Sequence, residues 1–370
     1  MIRVLNIISD TNIGGAGRVL LNYLSYADRS RFETLVAVPR GSLMKEPLEQ
    51  HKIQVLEVDG IADRSFDWGD IARLEKLIRQ VKPDIVHTHG SLSGRIAAKK
   101  VGCKIVYTRH CAFPVSAKLK YPPGRWVNKF VNEYLSDKII AVSPAAQENL
   151  TDGGISIKRI TTMMNGVAPV ARTAPEEQQK MRAACGVQEG EFVMGILARL
   201  EEYKGHLDIL DAMSILRSQG RKVRLLVAGI GGFESAIREH CHKLELDEQV
   251  TFLGFVSDVG SLLSILDLQL NASYGTETSS LSVLEGLSMG LPAVVSDYGG
   301  NPWLIDDGED GLLFPTRNAK ALSDCIARVM DEPETLQRMR KRAVEIFHQR
   351  FTGEIFAGNI EAVYDAAMED

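Results

Sequence analysis

The sequence predicts an α/β protein built from two Rossmann-like domains, each a doubly wound parallel sheet. Short apolar runs alternate with amphipathic stretches along most of the 370 residues, a pattern typical of parallel α/β architecture. The series starts twice, and each half opens with an apolar strand, a glycine-bearing loop and an amphipathic helix. Since ligands of such sheets bind at the carboxyl ends of the strands, we expect a central cleft between the two domains.

The first series lies within residues 1–170, which we expect to form an N-terminal domain. Each apolar run is short and is bounded by polar or turn-forming residues, which indicates strands. The expected strands are Val4–Ile8, Thr34–Val38, Val55–Val58, Ile85–Thr88, Lys104–Tyr107, Lys138–Val142 and Ile160–Met163. Helices are expected between most of them, for example at Ala16–Tyr26, Trp68–Val81 and Asn128–Leu135.

The second series lies within residues 186–351, which we expect to form a C-terminal domain. Residues 171–185 begin with a polar stretch that has no periodicity, and we expect a linker there. The expected strands are Phe192–Leu197, Val223–Val227, Val250–Leu253, Leu268–Asn271, Ala293–Val295 and Leu312–Phe314. The expected helices include Gly205–Ser218, Glu234–Leu244 and Val259–Leu266, and the stretch from Pro333 onward is helical in pattern.

Composition excludes several classes of protein. The formal net charge of −5 gives no general nucleic-acid footprint. The five cysteines are scattered without a C-x-x-C spacing, which indicates buried or idle thiols in a reducing compartment. No apolar run approaches the length that spans a bilayer, and no secretory signal is visible. We therefore expect a cytoplasmic protein whose contact with membranes, if it has any, is peripheral.

The most informative stretch, Ser273–Pro315, contains two carboxylates eight residues apart, Glu277 and Glu285. Glu277 precedes a predicted helix that should end at Gly290, and Glu285 lies within it. A helix N-terminus favours phosphate, and carboxylates accept hydrogen bonds from sugar hydroxyls. The pattern therefore favours an anionic, polyhydroxylated ligand. A simpler explanation is that Ser282 and Glu285 form a capping box, which needs no ligand.

Two cations follow the first strand of the second series. Arg199 and Lys204 flank a loop that opens a helix, where they could clamp a diphosphate. A pair of solvated loop charges is the simpler explanation. The next strand ends in a glycine-rich turn with Gly229 and Gly231, whose bare backbone could approach a ligand.

The first series carries its own candidates after its strands. Gly14 and Gly15 follow the first strand, but a dinucleotide-binding fingerprint is incomplete because Leu20 replaces its third glycine. His87 and His89 end another strand and should share one face. The choice between satisfied structural histidines and functional ones stays open. No Asp-x-Asp and no cluster with metal-ligand spacing occurs in the sequence, so nothing in it requires a metal.

The chain resembles the family 4 retaining glycosyltransferases, which have the GT-B fold of two facing Rossmann-like domains. The resemblance covers nearly the whole chain and is strongest at Glu277, Glu285 and the following Gly290-Leu291-Pro292. The other matching pieces are Gly14-Gly15, Asp84–His89, Ala141-Val142-Ser143, Asn165-Gly166-Val167, Gly195–Leu200, Lys204-Gly205, Val227–Gly231, Phe252–Phe255 and Gly299-Gly300.

The resemblance implies a role for each matching residue. Arg199 and Lys204 would bind the donor diphosphate, Glu285 the nucleotide ribose, and Glu277 hydroxyls of the donor sugar. The resemblance further implies that the domain of residues 1–170 binds the acceptor and that a helix at about 352–370 packs back on it. A catalytic role is expected for His89. The remaining donor-binding candidates are Ser279, Ser280, Leu281, Gly229, Gly231 and Phe255, with Gly14 and Gly15 at the donor–acceptor junction.

The expected activity is transfer of a sugar, with retention of its configuration, from a nucleoside-diphosphate donor to a hydroxyl acceptor. A UDP-sugar is the default donor, no metal or other cofactor is expected, and the family resemblance points to synthesis of envelope glycan, lipopolysaccharide or glycolipid. Two alternatives remain: a nucleotide-sugar 2-epimerase of the same fold, and a homologue that binds nucleotide sugar without turnover. Analysis of the products formed from donor alone separates these activities.

A segment of the first series interleaves cations with aromatic residues, in a chain of negative net charge. Aromatic side chains favour the bilayer interface, and basic ones favour anionic lipid. This pattern predicts peripheral contact with an anionic membrane through Lys118, Lys120, Arg125, Trp126 and Lys129. The alternative is that Trp126 and Phe130, at i and i+4, begin a helix that packs into the core.

Overall fold

The computed structural model describes residues 1–369. The chain divides into two compact units. The first comprises Met1–Val167 together with the chain from Thr352 onward, and the second is Ala168–Phe351. The long C-terminal segment therefore contributes its last helix to the unit in which the chain begins.

The first unit contains a seven-stranded parallel sheet in the order β3-β2-β1-β4-β5-β6-β7. The order reverses between β1 and β4, which is the switch point at which ligands of doubly wound sheets bind. The strands are β1 Ile2–Ile8, β2 Phe32–Pro39, β3 Gln54–Val58, β4 Ile85–His89, β5 Lys104–Arg109, β6 Lys138–Ala141 and β7 Ile160–Thr162.

Helices cover this sheet, and several begin at clear sequence signals. Asp67 caps one helix by accepting hydrogen bonds from the amides of Gly69 and Asp70, and Ser143 caps another just before Pro144. The helices are α1 Gly15–Tyr26, α2 Lys45–Gln50, α3 Trp68–Val81, α4 Leu92–Val101, α5 Ala117–Lys120, α6 Gly124–Tyr134 and α7 Pro144–Asp152. A 3-10 turn, Ile157–Arg159, precedes β7.

The second unit contains a six-stranded parallel sheet in the order β10-β9-β8-β11-β12-β13. Its switch point lies between β8 and β11. The strands are β8 Phe192–Leu197, β9 Val223–Ala228, β10 Val250–Gly254, β11 Leu268–Asn271, β12 Ala293–Ser296 and β13 Gly311–Phe314. A large apolar core built from these strands and the helices over them includes Met194, Leu225 and Leu268.

The helices of the second unit include one in the segment for which a linker was expected. The helices are α8 Pro175–Ala184, α9 His206–Ser218, α10 Glu234–Lys243, α11 Val259–Ser264, α12 Leu281–Ser288, α13 Ala319–Asp331 and α14 Pro333–Arg350, with 3-10 turns at Glu202–Lys204 and Asn301–Trp303. The expectation for residues 171–185 was wrong, because α8 docks on the second unit through Arg182, which donates to the carbonyl of Ile265.

The last helix, α15 Gly353–Glu369, packs against α1 and β5 of the first unit. Tyr364 is fully buried beside the rings of Tyr23 and Phe32. The carboxylate of Glu361 accepts a hydrogen bond from the amide of Asp28 at 2.7 Å. Helix α15 thus completes the core of the first unit.

Candidate functional site

The loops that follow β8 and β11 meet at the switch point of the second sheet. The β8 loop carries Arg199 and Lys204, and the β11 loop carries Glu277 and leads into α12. Neighbouring parallel strands end at the same edge, so residues distant in sequence become close there. The structure therefore brings together Lys204, Glu277 and the start of α12, which the sequence singled out separately.

Lys204 and Glu277 form a buried salt bridge at 2.8 Å between Nζ and Oε2. Their side chains are 15% and 8% exposed. The same carboxylate oxygen accepts hydrogen bonds from Asn271 Nδ2 at 3.3 Å and from Ser273 Oγ at 3.1 Å. The ion pair is thus held in one orientation before any ligand binds.

The environment of Glu277 keeps its side chain ionised. Burial by itself raises the pKa of this carboxyl, but the charge of Lys204 and the hydrogen bonds from Lys204, Asn271 and Ser273 outweigh that effect. The net result is a lowered pKa. A buried, ionised carboxylate of this kind accepts hydrogen bonds from hydroxyl groups.

Arg199 differs from Lys204 because its side chain is exposed. Its guanidinium donates to the hydroxyl of Tyr203 at 3.1 Å, so the tyrosine holds it at the edge of the β8 loop. Tyr203 also lies beside Lys204, whose Nζ is 5.8 Å from the ring centroid. The two cations therefore share one aromatic neighbour.

The start of α12 carries no side-chain cap among residues 1–369, and its N-cap residue is Ser280. Ser282 lies inside the helix and donates its hydroxyl to the carbonyl of Leu197 at 3.0 Å. The capping-box explanation was therefore wrong. Ser279, Ser280 and Leu281 lie at the first turn, where backbone amides lack intrahelical acceptors. Glu285 lies one turn further on and is half-buried.

A glycine pair after β12 fixes the loop that carries Glu277. The amide of Gly300 donates to the carbonyl of Glu277 at 3.0 Å. A Cβ atom on Gly300 would overlap the carbonyl oxygen of Thr278, so no larger residue fits without displacing that loop. Gly299 has a φ of 62°, a conformation that favours glycine.

The glycines after β9 have a packing role. A Cβ atom on Gly229 would clash with the carbonyl oxygen of Ala198, and one on Gly231 would clash with that of Leu200. These glycines therefore let the β8 and β9 loops pack backbone to backbone. Phe255, just beyond β10, is 66% exposed at the same edge.

In the first unit, Gly14 and Gly15 lie at the start of α1, after β1, and both are exposed. His89 ends β4 on the other side of the switch point and is buried. Its Nδ1 lies 2.8 Å from His110 Nε2, and its Nε2 lies 3.0 Å from Asn6 Oδ1. Both ring nitrogens of His89 are thus engaged within the unit.

His87 lies on the same face as His89, as strand alternation predicts, with ring centroids 4.4 Å apart. Its Nδ1 is 2.7 Å from the hydroxyl of Tyr364, and its Nε2 is 2.7 Å from Thr108 Oγ1. Burial lowers the pKa of His87 to about 3 and that of His110 to about 4, and it lowers the pKa of His89 well below its usual value. The cluster is therefore neutral near pH 7.

Sequence reasoning missed Asn271 and Ser273, which orient Glu277. Asn271 ends β11, where a polar residue closes an otherwise apolar run, and Ser273 follows two residues later. Polar residues at the end of a buried strand were the signal that could have found them. Asp10, which follows β1, was not predicted from the sequence either.

Comparison with known proteins identifies the family of this chain. Residues 13–170 match the family described as Glycosyltransferase Family 4, and residues 177–345 match the one described as Glycosyl transferases group 1. The chain belongs to the family 4 glycosyltransferases. It is thus a glycosyltransferase, and the family resemblance stated from its motifs is confirmed.

Among curated glycosyltransferases, it is 26% identical over 316 residues to the alpha-monoglucosyldiacylglycerol synthase of Acholeplasma laidlawii, covering 80% of this chain and 78% of that one. It is 28% identical over 307 residues to the D-inositol 3-phosphate glycosyltransferase of Kribbella flavida, covering 77% and 72%. The solved structure of Anabaena Alr3699/HepE in complex with UDP superposes with a TM-score of 0.84 at 23% identity, covering 99% and 100%. That likeness confirms the predicted GT-B fold.

The structure of residues 1–369 contains neither a membrane-spanning helix nor a metal-binding cluster. None of the helices within residues 1–369 has the length and apolar character needed to cross a bilayer. Over the same residues, histidine, cysteine, aspartate and glutamate side chains form no group of three or more that could hold a metal ion.

Proposed function

We propose that this protein transfers a sugar, with retention of configuration, from a nucleoside-diphosphate donor to an acceptor hydroxyl. The observation that carries the proposal is the preorganised Lys204–Glu277 pair beside the uncapped start of α12. A UDP-sugar is the preferred donor, since the similar Anabaena fold is described in complexes with UDP and with UDP-glucose.

Each donor group has a complementary partner in the second unit. Arg199, Lys204 and the first-turn amides of α12 stabilise the diphosphate and the charge that develops on it as the glycosidic bond breaks. Glu277 accepts hydrogen bonds from sugar hydroxyls, and Glu285 accepts them from the ribose. Phe255, exposed beyond β10, offers its ring to the nucleotide base.

The proposed reaction breaks the bond between the sugar C1 and the β-phosphate oxygen and forms a bond from C1 to the acceptor oxygen on the same face. The acceptor proton passes to the departing phosphate. The cationic groups of the site do the work that a metal does in other transferases, so we propose that activity needs no metal. Because both ring nitrogens of His89 are engaged, we assign it to positioning the β4 loop rather than to direct contact with substrate.

The test starts with calorimetric titration of UDP, GDP, ADP and UDP-glucose, followed by assays of donor hydrolysis in EDTA. The proposal expects tightest binding of a uridine nucleotide, hydrolysis that survives EDTA, and an α-linked product from an α-linked donor in NMR spectra. An epimerised nucleotide sugar formed from donor alone would identify an epimerase instead. Binding without turnover toward any acceptor would identify a non-catalytic homologue.

We further propose that helices α5 and α6 touch an anionic membrane surface. No residue of α6 is buried, so the core-packing alternative was wrong. Trp126, Phe130 and Tyr134 follow one another at i, i+4 and i+8, and they are 68%, 67% and 55% exposed. They form one apolar stripe, flanked by the cations Lys118, Lys120, Arg125 and Lys129.

This surface combines interfacial aromatic residues with basic ones, and each basic residue near anionic lipid contributes roughly 1 kcal/mol. The relatives include an enzyme named for a diacylglycerol lipid and one named for an inositol phosphate. Of these two kinds of acceptor, the exposed stripe favours a lipid-linked one. We therefore propose that the enzyme acts at the cytoplasmic face of the plasma membrane, in synthesis of envelope glycan or glycolipid.

Flotation with liposomes tests this surface. We expect binding to vesicles rich in phosphatidylglycerol, weaker binding to phosphatidylcholine alone, and loss of binding in the variant Trp126→Ser/Phe130→Ser. Replacing Trp303, which is 54% exposed in the second unit, by Ser is the matched control. Equal flotation of all three proteins would contradict the proposal, and a concentration-dependent dimer that the double variant abolishes would assign the stripe to self-association.

A further inference from the structure

A loop of the first unit, the β3–α3 loop (Asp59–Asp67), lies over the switch point of its sheet. The amide of Asp63 donates to the carbonyl of Ser9, after β1, at 2.8 Å. The hydroxyl of Thr11 donates to the carboxylate of Asp63 at 2.6 Å. On the other side, the amide of Leu92, after β4, donates to the carbonyl of Ser65 at 2.8 Å. The loop is thus tied to both strands that flank the switch point.

This loop and the start of α3 present two large aromatic side chains to solvent. Phe66 is 42% exposed and Trp68 is 78% exposed. Their rings meet edge to face, with centroids 5.1 Å apart. Because the loop is held at Asp63 and at Ser65, the pair is preorganised, and exposed apolar groups at such a place mark ligand sites. The neighbouring loops add exposed apolar side chains at Ile13 and Leu43.

Asp10 supplies a polar group at the same edge. It follows β1 and is half-buried, and its backbone is held by the hydroxyl of Ser42, which donates to its carbonyl at 2.8 Å. Its Oδ2 would lie 3.3 Å from a Cβ atom on Gly14, so the glycine leaves room for this carboxylate. Burial, together with the charge of Asp63, raises the pKa of Asp10, and no hydrogen bond within residues 1–369 offsets that rise. A half-buried carboxylate in this setting gains from a hydroxyl donor.

We infer that Asp10, Phe66 and Trp68 form a binding site for a saccharide acceptor, with its sugar stacked on the aromatic pair and a hydroxyl donating to Asp10. One face of a pyranose carries C–H groups that pack well on the electron-rich face of an aromatic ring. The remaining hydroxyls need acceptors when they leave water. The inference rests on the proposed function and specifies that the part of the lipid-linked acceptor that receives the sugar is a saccharide.

The first experiment measures binding without turnover. The chain has three tryptophans, so Trp126→Phe/Trp303→Phe leaves Trp68 as the only indole reporter. We expect at least one of the methyl glycosides of glucose, galactose, mannose and N-acetylglucosamine to shift the emission of Trp68. Adding Asp10→Asn should weaken the affinity for the glycoside, measured from this emission change, about tenfold, as loss of a binding hot spot does. If no glycoside changes the emission of a protein that still binds UDP, the inference fails while the proposed function stands.

The second experiment measures the ratio of sugar transfer to donor hydrolysis, with the same glycosides as acceptors. Trp68→Ala and Asp10→Asn should lower this ratio by raising the acceptor KM. Ile157→Ala is the matched control, because Ile157 is 59% exposed before β7, at the opposite edge of the sheet. An unchanged ratio, or equal loss of transfer and hydrolysis, would overturn the acceptor site. Absence of both nucleotide binding and hydrolysis in the unmodified protein would instead refute the proposed function.

Discussion

The buried ion pair of Lys204 and Glu277 is the residue-scale feature on which the proposed donor site depends. Lys204→Ala leaves an ionised carboxylate buried without its cation, and breaking a buried pair in this way costs about 3–5 kcal/mol. We therefore expect both a lower melting temperature and weaker binding of UDP. Calorimetric unfolding and UDP titration of the single variants and of Lys204→Ala/Glu277→Gln measure the coupling.

The double variant should be more stable than Lys204→Ala, because the amide that replaces the carboxylate of Glu277 carries no charge to leave unpaired. Lys320→Ala is the matched control, since Lys320 pairs with Asp324 on an exposed helix face. It should change the free energy of unfolding by about 1 kcal/mol or less. Strictly additive effects of the two substitutions at the pair would show that the ion pair is energetically irrelevant.

Glu285 offers a second prediction at this scale. If its carboxylate contacts the ribose, Glu285→Gln raises the donor KM more than it lowers kcat, because that contact is similar in the ground and transition states. Glu277→Gln, next to the reacting sugar, should lower kcat as well. Steady-state hydrolysis of UDP-glucose separates the two, with Glu234→Gln on α10 as a control. Unchanged kinetics in Glu285→Gln would remove Glu285 from the donor site.

At the scale of elements, the Gly299–Gly300 turn sets the position of the loop before α12. Gly300→Ala places a methyl group against the carbonyl of Thr278, and overpacking of this kind costs roughly 1–3 kcal/mol. We expect lower stability together with weaker UDP binding, because the Glu277 loop must move. Gly232→Ala is the control, since no atom lies within 4 Å of its added Cβ. Full UDP affinity in Gly300→Ala would contradict this coupling.

The histidine cluster links β1, β4, β5 and α15 and predicts acid sensitivity of the first unit. Burial, with some repulsion between the imidazoles, holds the pKa values of His87, His89 and His110 below their unfolded values. Between about pH 6.5 and 4 the unfolded chain therefore binds more protons, and stability falls as the pH falls. Each histidine contributes up to about 1.4 kcal/mol per pH unit.

Urea unfolding between pH 7.5 and 5 measures this slope. His87→Gln should flatten it, whatever its effect on stability at pH 7.5. His242→Gln, at an exposed position of the second unit, is the matched control for the substitution itself. If His87→Gln has the same slope as the unmodified protein, His87 titrates normally in the folded state.

At the scale of the whole molecule, the chain returns to its first unit through α15. A variant that ends at Phe351 loses six buried apolar side chains, and burial of each large one contributes about 1.5–3 kcal/mol. We expect the first unit to unfold while the second keeps its own core. The lost residues are Phe356, Ala357, Ile360, Val363, Tyr364 and Ala367.

Limited proteolysis with mass spectrometry checks this expectation. Cleavage should appear throughout residues 1–167, whereas fragments within 168–351 should resist. Equal protection of both units in the shortened chain would show that α15 is dispensable.

Much of the fold could be predicted because buried parallel strands require continuous apolar runs. The runs at Phe192–Leu197 and Leu268–Asn271 mark strands with those same bounds, and other strands differ by a residue or two. Helix α8 was not predicted from the sequence, because none of its residues is buried and its apolar residues therefore show little periodicity. Its position depends on contacts such as that of Arg182 with Ile265, which local sequence does not encode.

The sequence by itself determined the strand-and-helix alternation and the residues at strand ends, because both follow from local burial and turn chemistry. It also carried the motif of Glu277 and Glu285. Only the tertiary structure decided that Lys204 pairs with a carboxylate 73 residues away, because strand order chooses which loops meet. It also decided that the Trp126–Phe130 stripe is exposed: the same i, i+4 spacing serves a core or a surface, and only the neighbouring elements determine whether water reaches it.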